Sequence, residues 1–348
     1  MSVIDKLRKN STVKLTDVLV DSEIYNQKDV VVTAVPALNV ALSGDLHSGF
    51  TAGLTVIAGP SKHFKTGLGL IQVKAYLDKY KDAVCLFYDS EFGAPQSYFK
   101  AAGIDPSRVL HTPVTDIEQL KFDIMNQLNE LKRGDRVIIL IDSIGNLASK
   151  KEVEDALEQK GAADMTRAKQ LKSLFRMVTP HLTIKNVPCV AINHIYMEQG
   201  MYPKAIVSGG TGIYLSADTI IIVGRQQEKD GTEIVGYNFI LNIEKSRYVR
   251  EKSKVPVSVT YDEGVSKWSG LLDLGLEAGL VVKPSNGWYS RVQTSGEVED
   301  KKWRKDDTNC AEFMSPLLAD ARFQKWVRDN FQLGVGESNP SAEEIVDD

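Results

Sequence analysis

The sequence predicts an α/β fold with a mostly parallel central sheet, antiparallel additions and helices on both faces. Near-continuous apolar runs recur along the chain: LTVIAG at 54–59, AVCLFYD at 83–89, RVIILID at 136–142 and VPCVAIN at 187–193. Stretches with helical spacing lie between them, and after Asp218 the helical patterns give way to successive β-rich segments. A strand that is apolar throughout needs cover on both faces, as a parallel strand between helices has. Alternation of such strands with helices gives a layered parallel sheet.

In chain order, residues 1–30 are polar and mixed, too weakly periodic to build a core, and read as an arm. The core is expected over 31–270. Its first strand leads through GPSKHFKT into the helix GLGLIQVKAYLDKY, which ends near Tyr80. Strand 83–89, helix 117–133, strand 136–142, helix 165–178 and strand 187–193 follow. DTIIIVGR, YNFILNIE and VPVSVTYD, joined by short turns containing Asp230-Gly231, read as antiparallel additions to the same sheet. Over 271–334, Gly275, Gly279 and Gly287, four-residue apolar spacing and Trp288, Trp303 and Trp326 mark a small separate domain. Residues 335–348 carry five acidic residues and no basic one, and read as a disordered acidic tail.

Composition narrows the function classes. With 43% apolar and 25% charged residues in 348, the chain is a folded one with ample core. No run approaches the ~18 apolar residues that span a bilayer, and the N-terminus lacks a secretory apolar stretch, so an intracellular protein is expected. Lys plus Arg total 42 against 46 Asp plus Glu, which excludes a wholly basic nucleic-acid-coating surface and leaves partner choice to local distribution. Cys85, Cys189 and Cys310 show no metal-ligand spacing, and the first two lie in strand-like runs, as buried structural thiols do.

The stretch Gly59, Pro60, Ser61, Lys62, His63, Phe64, Lys65, Thr66, Gly67 follows a strand and opens a helix. A phosphate-cradling loop needs backbone N–H groups at a helix N-terminus, a Lys for the terminal phosphates and a hydroxyl for Mg²⁺. Lys65 and Thr66 fit the last two roles. The second glycine of G-x-x-x-x-G-K-[ST] is Phe64 here, and because Phe adopts φ > 0 poorly, an unusual loop geometry is expected. By itself the octapeptide also fits a polar turn. Asp142, ending a strand about 75 residues on, stands where the acid of a nucleotide site holds the metal, and the two together favour that site. Asp89-Ser90-Glu91 ends the intervening strand and Asn193-His194 ends another, at the sheet edge where ligands bind. From there Glu91 could polarise a water and His194 could sense a phosphate.

The ordered set GPSKHFKT, CLFYDSEFG, VIILIDSIGNLASKKEVEDALEQ, VPCVAINHIY, SGGTG and NIEKSRYVREKS resembles the RecA-type strand-exchange recombinases, most closely those of T-even-type bacteriophages, over about residues 30–335. The Phe in the loop is shared with that phage branch. The resemblance implies a RecA-like P-loop ATPase core with an N-terminal polymerisation arm and a small C-terminal α/β domain. It implies ATP and Mg²⁺, with Lys65 and Thr66 on phosphates and metal, Asp142 completing the metal site and Glu91 activating water. Tyr98 would stack near the adenine. His194 stands where cellular RecA has the Gln that links the γ-phosphate to a DNA-binding loop. Lys245 and Arg247 would reach across a filament interface to the neighbour's ATP.

Two segments match the family's DNA loops. The first, near 149–169, mixes Lys150, Lys151, Lys160, Arg167 and Lys169 with five acidic residues, a composition that by itself describes a solvated helix. The second, near 195–212, is Gly-rich with Tyr196, Met201, Tyr202 and Lys204, which suits a loop that orders on phosphates and props bases apart. The function implied is an ATP-dependent recombinase that forms helical filaments on single-stranded DNA and pairs it with duplex DNA. A single-strand-binding protein and a mediator that loads the filament are the implied accessory partners, in the cytoplasm of an infected bacterium. A ring-forming helicase shares such a core, and a non-catalytic DNA-binding mediator is the alternative from another class.

Overall fold

The structure is a computed structural model that describes residues 2–26, 29–158, 166–198, 200–201, 203–230, 232–261 and 264–334. Lys160, Tyr202, Gly231 and the acidic tail lie outside the described residues.

The chain opens with helices α1 (Val3–Asn10), α2 (Glu23–Asn26) and α3 (Pro36–Ser43). A capping box between Ser2 and Asp5 starts α1, yet α1 buries no residue, and Val3, Ile4 and Leu7 are exposed. The layered core follows: β1 (Gly53–Ala58), α4 (Lys65–Lys79), β2 (Val84–Asp89), α5 (Gln96–Ala101), β3 (Val109–Pro113), α6 (Ile117–Glu130), β4 (Val137–Asp142), α7 (Lys150–Leu157), α8 (Thr166–Lys185) and β5 (Pro188–Asn193). Next come β6 (Ile195–Met197), β7 (Ala205–Val207), α9 (Thr211–Ser216), β8 (Thr219–Asp230), β9 (Glu233–Ser246), β10 (Lys254–Thr260) and β11 (Gly264–Val265). The end is α10 (Leu271–Glu277), β12 (Val281–Ser285), β13 (Trp288–Arg291), β14 (Trp303–Arg304), α11 (Ala311–Ala319) and α12 (Ala321–Phe331).

Nine strands form one sheet in the order β11-β10-β9-β8-β1-β5-β4-β2-β3, parallel from β8 to β3 and antiparallel from β8 to β11. The four apolar runs are therefore adjacent central strands, and β1, β4 and β5 are buried along their whole length. Their side chains alternate between two clusters. Ile57, Phe87, Leu140 and Ile192 face α3 and α4, whereas Val56, Tyr88, Ile141 and Ala191 face α6 and α8.

Strand β3 and helices α6 and α8 differ from the sequence expectation. Strand β3 is added at the sheet edge, where one neighbour suffices and Leu110 is left exposed. Helix α6 stops at Glu130, because Leu131 turns to extended backbone, and α8 runs on through Pro180 to Lys185. The segment 271–334 has its own sheet, β12-β13-β14, but Leu271, Phe313, Phe323 and Val327 belong to one cluster with Val40 and Leu42 of α3. No described helix is long and apolar enough to cross a membrane. Cys85 and Cys189 are buried, and burial pushes both thiols up, Cys189 to about 12.

Candidate nucleotide site

The carboxyl ends of β1, β2, β4 and β5 meet at one sheet edge, where Asp89 pairs in register with Asp142 and Ala58 with Asn193. The loop after β1 enters α4 with Phe64 as N-cap at φ 55°, ψ 21°, and Lys62 has φ 61°. Phe64 thus takes the left-handed conformation that a glycine would take, so the loop keeps the turn that its substitution put in question.

Lys65 is 7% exposed, and its Nζ donates to the Pro60 carbonyl at 2.8 Å, curling the ammonium back over the loop. Burial pushes its pKa down, while Glu91 and Asp142 draw it up. Thr66 Oγ1 donates to Asp142 Oδ2 at 2.6 Å. The other Asp142 oxygen is buried without a hydrogen-bond partner. Burial pushes that carboxyl up to about 6, with Glu91 and Asp89 adding to the rise and the Thr66 hydrogen bond opposing it. A buried carboxylate with a spare oxygen beside a hydroxyl fits Mg²⁺, which typically takes only one or two carboxylates and fills its octahedron with phosphate and water oxygens. Among the described residues no group of three or more His, Cys, Asp or Glu side chains is placed to hold a metal ion.

Glu91 stands across the cleft. Asp89 fixes its turn by accepting from the backbone N–H of Glu91 at 3.1 Å and of Phe92 at 2.7 Å. Ser90 and Ser143 tie the ends of β2 and β4 together: Ser90 Oγ donates to the Ser143 carbonyl at 2.7 Å and accepts from the Ser143 N–H at 3.1 Å. Glu91 Oε1 accepts from Ser143 Oγ and lies 3.0 Å from His194 Nε2. The His194 hydrogen bond is the largest influence holding the Glu91 carboxyl below its ordinary value, with Ser143 helping and burial opposing. The His194 ring lies on the backbone of Gly145, where a Cβ would come within 2.2 Å of Cδ2. Tyr98, Tyr237 and Tyr261 complete a cleft of about 470 Å³ lined by the phosphate loop, Glu91, Asp142 and His194. That volume lies within the range of small-molecule sites.

Lys245 and Arg247 lie elsewhere. Their strand end pairs with the start of β8, level with Thr55 and Val56 in the middle of β1, and their side chains run to residues that precede β8, away from the cleft. There Lys245 Nζ donates to the carbonyls of Tyr214 and, at 2.8 Å, Ala217, while Arg247 Nε pairs with Asp218 Oδ1 at 2.6 Å. In this chain alone they do not join the cleft.

The two loop segments also differ. Ser149 and Glu152 form a capping box that starts α7, with Lys150 and Lys151 exposed. Arg167, read in sequence as one of the basic loop residues, instead donates to the carbonyls of Ile144, Gly145 and Leu147, so its guanidinium is spent inside the fold. The second segment is a hairpin at its base, β6 paired with β7, with Tyr196, Met197 and Met201 exposed. It is rooted in the site: the Ser208 N–H donates to the His194 carbonyl at 2.9 Å, and Asn193 Nδ2 donates to the Ser208 carbonyl at 2.7 Å. Ser90, Ser143 and Asn193 escaped the sequence reading as working residues, and only their places beside strand-end acids and His194 signalled them.

A model of the RecA N-terminal domain matches residues 2–266, and a model described as "Bacteriophage T4, Recombination and repair protein, C-terminal domain" matches 268–327. The chain is 52% identical to the recombination and repair protein of Enterobacteria phage T4 over an alignment of 348 residues, covering 99% of this chain and 89% of that protein. It is 27% identical to the RecA protein of Bacteroides thetaiotaomicron over 336 residues, covering 93% and 97%. With the RecA protein of Allorhizobium ampelinum it shares 30% over 266 residues, covering 75% and 70%.

Proposed function

This chain belongs to the RecA family and is a DNA strand-exchange recombinase, and on that premise we propose that its filaments hydrolyse Mg·ATP at the cleft described above when single-stranded DNA is bound. DNA binding, filament formation and a DNA-dependent ATPase activity in general follow from the family. The residue roles are our reading. The N–H groups of residues 61–67 would cradle phosphate oxygens, and Lys65 would exchange its bond to the Pro60 carbonyl for the terminal phosphates. Thr66 and Asp142 would hold Mg²⁺, whose chemistry is to neutralise charge on the phosphate oxygens. Glu91, kept ionised by His194 and Ser143, would orient the attacking water and take up its proton. Tyr98 would face the base.

His194 would report γ-phosphate to DNA through the β6–β7 hairpin that its own carbonyl anchors. Lys245 and Arg247 would serve the ATP of the adjoining subunit, and the apolar side chains that α1 leaves unburied would dock the arm of residues 1–30 on a neighbour. Residues 31–270 would then act as the ATPase core, 271–334 as a C-terminal domain and 335–348 as an acidic competitor of DNA. Double-stranded DNA, a single-strand-binding protein and a loading mediator are the proposed further partners, in the cytoplasm of an infected cell.

The observation that carries this reading is the Glu91–His194 pair facing Lys65, Thr66 and Asp142 across one cleft. The test is ATP turnover at saturating Mg·ATP with and without single-stranded DNA, beside Lys65→Ala. Strong stimulation by DNA that the variant loses supports it. DNA binding without turnover overturns it in favour of a non-catalytic mediator.

A further inference from the structure

We infer that the phosphate loop is held in its working shape by a clamp from the antiparallel side of the sheet, in which the Phe64 ring is wedged between Gly67 and Phe239 while Arg225 holds the Lys62 carbonyl. The inference deepens the ATP reading above and rests on it. Phe64 and Lys62 both sit at positive φ although neither is glycine, a backbone state that lasts only where the surroundings over-determine it. Each has such a restraint, and both restraints come from β8 and β9. Arg225 Nη1 donates to the Lys62 carbonyl at 3.1 Å, and its guanidinium lies 4.6 Å from the centre of the Tyr237 ring. The Phe64 ring stacks on Phe239 at 5.6 Å and 23°, and Phe239 is buried.

The Phe64 ring also meets α4 at Gly67. A Cβ there would lie 2.4 Å from Phe64 Cζ and 2.6 Å from both Cε atoms. A ring tip can ordinarily swing away from such a contact, but here the stack on buried Phe239 restrains the ring. Gly67 is therefore small because Phe64 is large. The glycine that the motif places within the loop is in effect traded for one in the first helical turn, where it would otherwise weaken the helix. Phe64, Gly67, Phe239 and Arg225 are positioning residues in this account: they set where the loop N–H groups point before nucleotide arrives.

The trade makes a prediction about pairs of substitutions. Gly67→Ala should raise the KM for ATP at least tenfold, because the ring must leave its slot and carry the loop with it. Phe64→Gly should raise KM severalfold while changing kcat far less, since a loosened loop is still able to close on phosphate. In the Phe64→Gly background, Gly67→Ala should cost less than twofold in KM. Thermal melts of the four proteins without nucleotide should show the same dependence, with Gly67→Ala lowering the midpoint only when Phe64 is present. Where Gly67→Ala alone fails to fold, a folded double variant supports the clamp and an unfolded one overturns it. Equal costs of Gly67→Ala in both backgrounds also overturn it, as does a silent Gly67→Ala. A wild-type chain that binds no fluorescent ADP analogue would sink the ATP reading instead, and the nucleotide-free melts would still decide the clamp.

Discussion

The two edges of the large sheet carry charged groups of opposite character. At the carboxyl edge, Lys65 and Asp142 are 7% and 5% exposed, and with Thr66, Glu91, Ser143 and His194 they form a site whose members fix one another's positions and proton affinities. At the amino edge, Arg247 keeps 59% of its side chain exposed, and it and Lys245 are tied to their own chain through carbonyls and Asp218. Both side chains are tied to residues that precede β8, and neither lines the cleft of its own chain. One edge is thus a nearly complete site and the other carries two cations, of which Arg247 is already paired with Asp218. In the proposed head-to-tail contact, of the kind that generates open helical filaments, one edge would be supplied with the other.

The largest expected effect follows from that division. Glu91→Gln should lower DNA-stimulated turnover by about 10²–10⁴-fold, the usual worth of a positioned base. A Lys245→Ala/Arg247→Ala chain should lose about 10³-fold or more, as when a trans cation is removed from phosphoryl transfer. Mixed in equal amounts, the two inactive chains should regain about a quarter of wild-type turnover, because one interface in four pairs an intact Glu91 with intact cations in random head-to-tail assembly. Phosphate release from the mixture measures this. A mixture no more active than its components would mean that the amino edge does not serve a neighbour's site.

The same contrast governs what could be read from sequence. The carboxyl edge was legible because its strands are apolar throughout and end on acids, and because Lys65-Thr66 has a fixed place at a helix start. Strand β3 was not, since an edge strand in which consecutive residues Leu110 and His111 are both exposed has no apolar period to detect. Nor were the Ser90–Ser143 and Asn193–Ser208 bonds, which join residues 53 and 15 positions apart through tertiary contact alone. Arg167 shows the converse: its charge in a mixed run suggested a solvated or DNA-facing residue, but only the fold reveals the three carbonyls that occupy it. Gly67 left a trace, as a glycine in the opening turn of a helix invites a packing reason.

A smaller effect is expected at the joint between the carboxyl edge and the β6–β7 hairpin. His194→Ala removes a hydrogen bond to an ionised carboxylate, which should reduce turnover roughly tenfold. His194→Gln, able to donate to Glu91 through its amide, should recover most of that loss. The Glu91 pKa is depressed in the folded chain, so the ionised form is favoured and its contribution is lost as pH falls through that low value. With His194→Ala, the acid limb of the turnover profile should move to higher pH, while His194→Gln should leave it nearer wild type. If Ala and Gln behave alike at every pH, the Glu91–His194 contact does not tune the base.

The smallest effect separates the edges by stability alone. Asp142 has a folded pKa raised from 3.8 to about 6, chiefly by burial. Below pH ~4 the carboxyl is protonated in both folded and unfolded chains, and its burial carries no charge penalty. As pH rises through the folded value, the unfolded chain has already released its proton and the folded chain must bury a carboxylate, at a cost of at most about 3 kcal/mol. Asp142→Asn removes that cost and keeps an oxygen able to accept from Thr66 Oγ1. With a chelator and no nucleotide, the variant should therefore melt several degrees above wild type at pH 8, with the gain shrinking towards pH 5. Saturating Mg·ATP should reverse the order, since the spare carboxylate oxygen then has a cation to bind. Arg247→Ala, at the exposed edge, should shift stability by no more than about 1 kcal/mol under the same conditions. An Asp142→Asn chain no more stable than wild type at pH 8 would mean that water or a cation already satisfies the buried oxygen, and the carboxyl edge would then be less strained without its ligand than its burial implies.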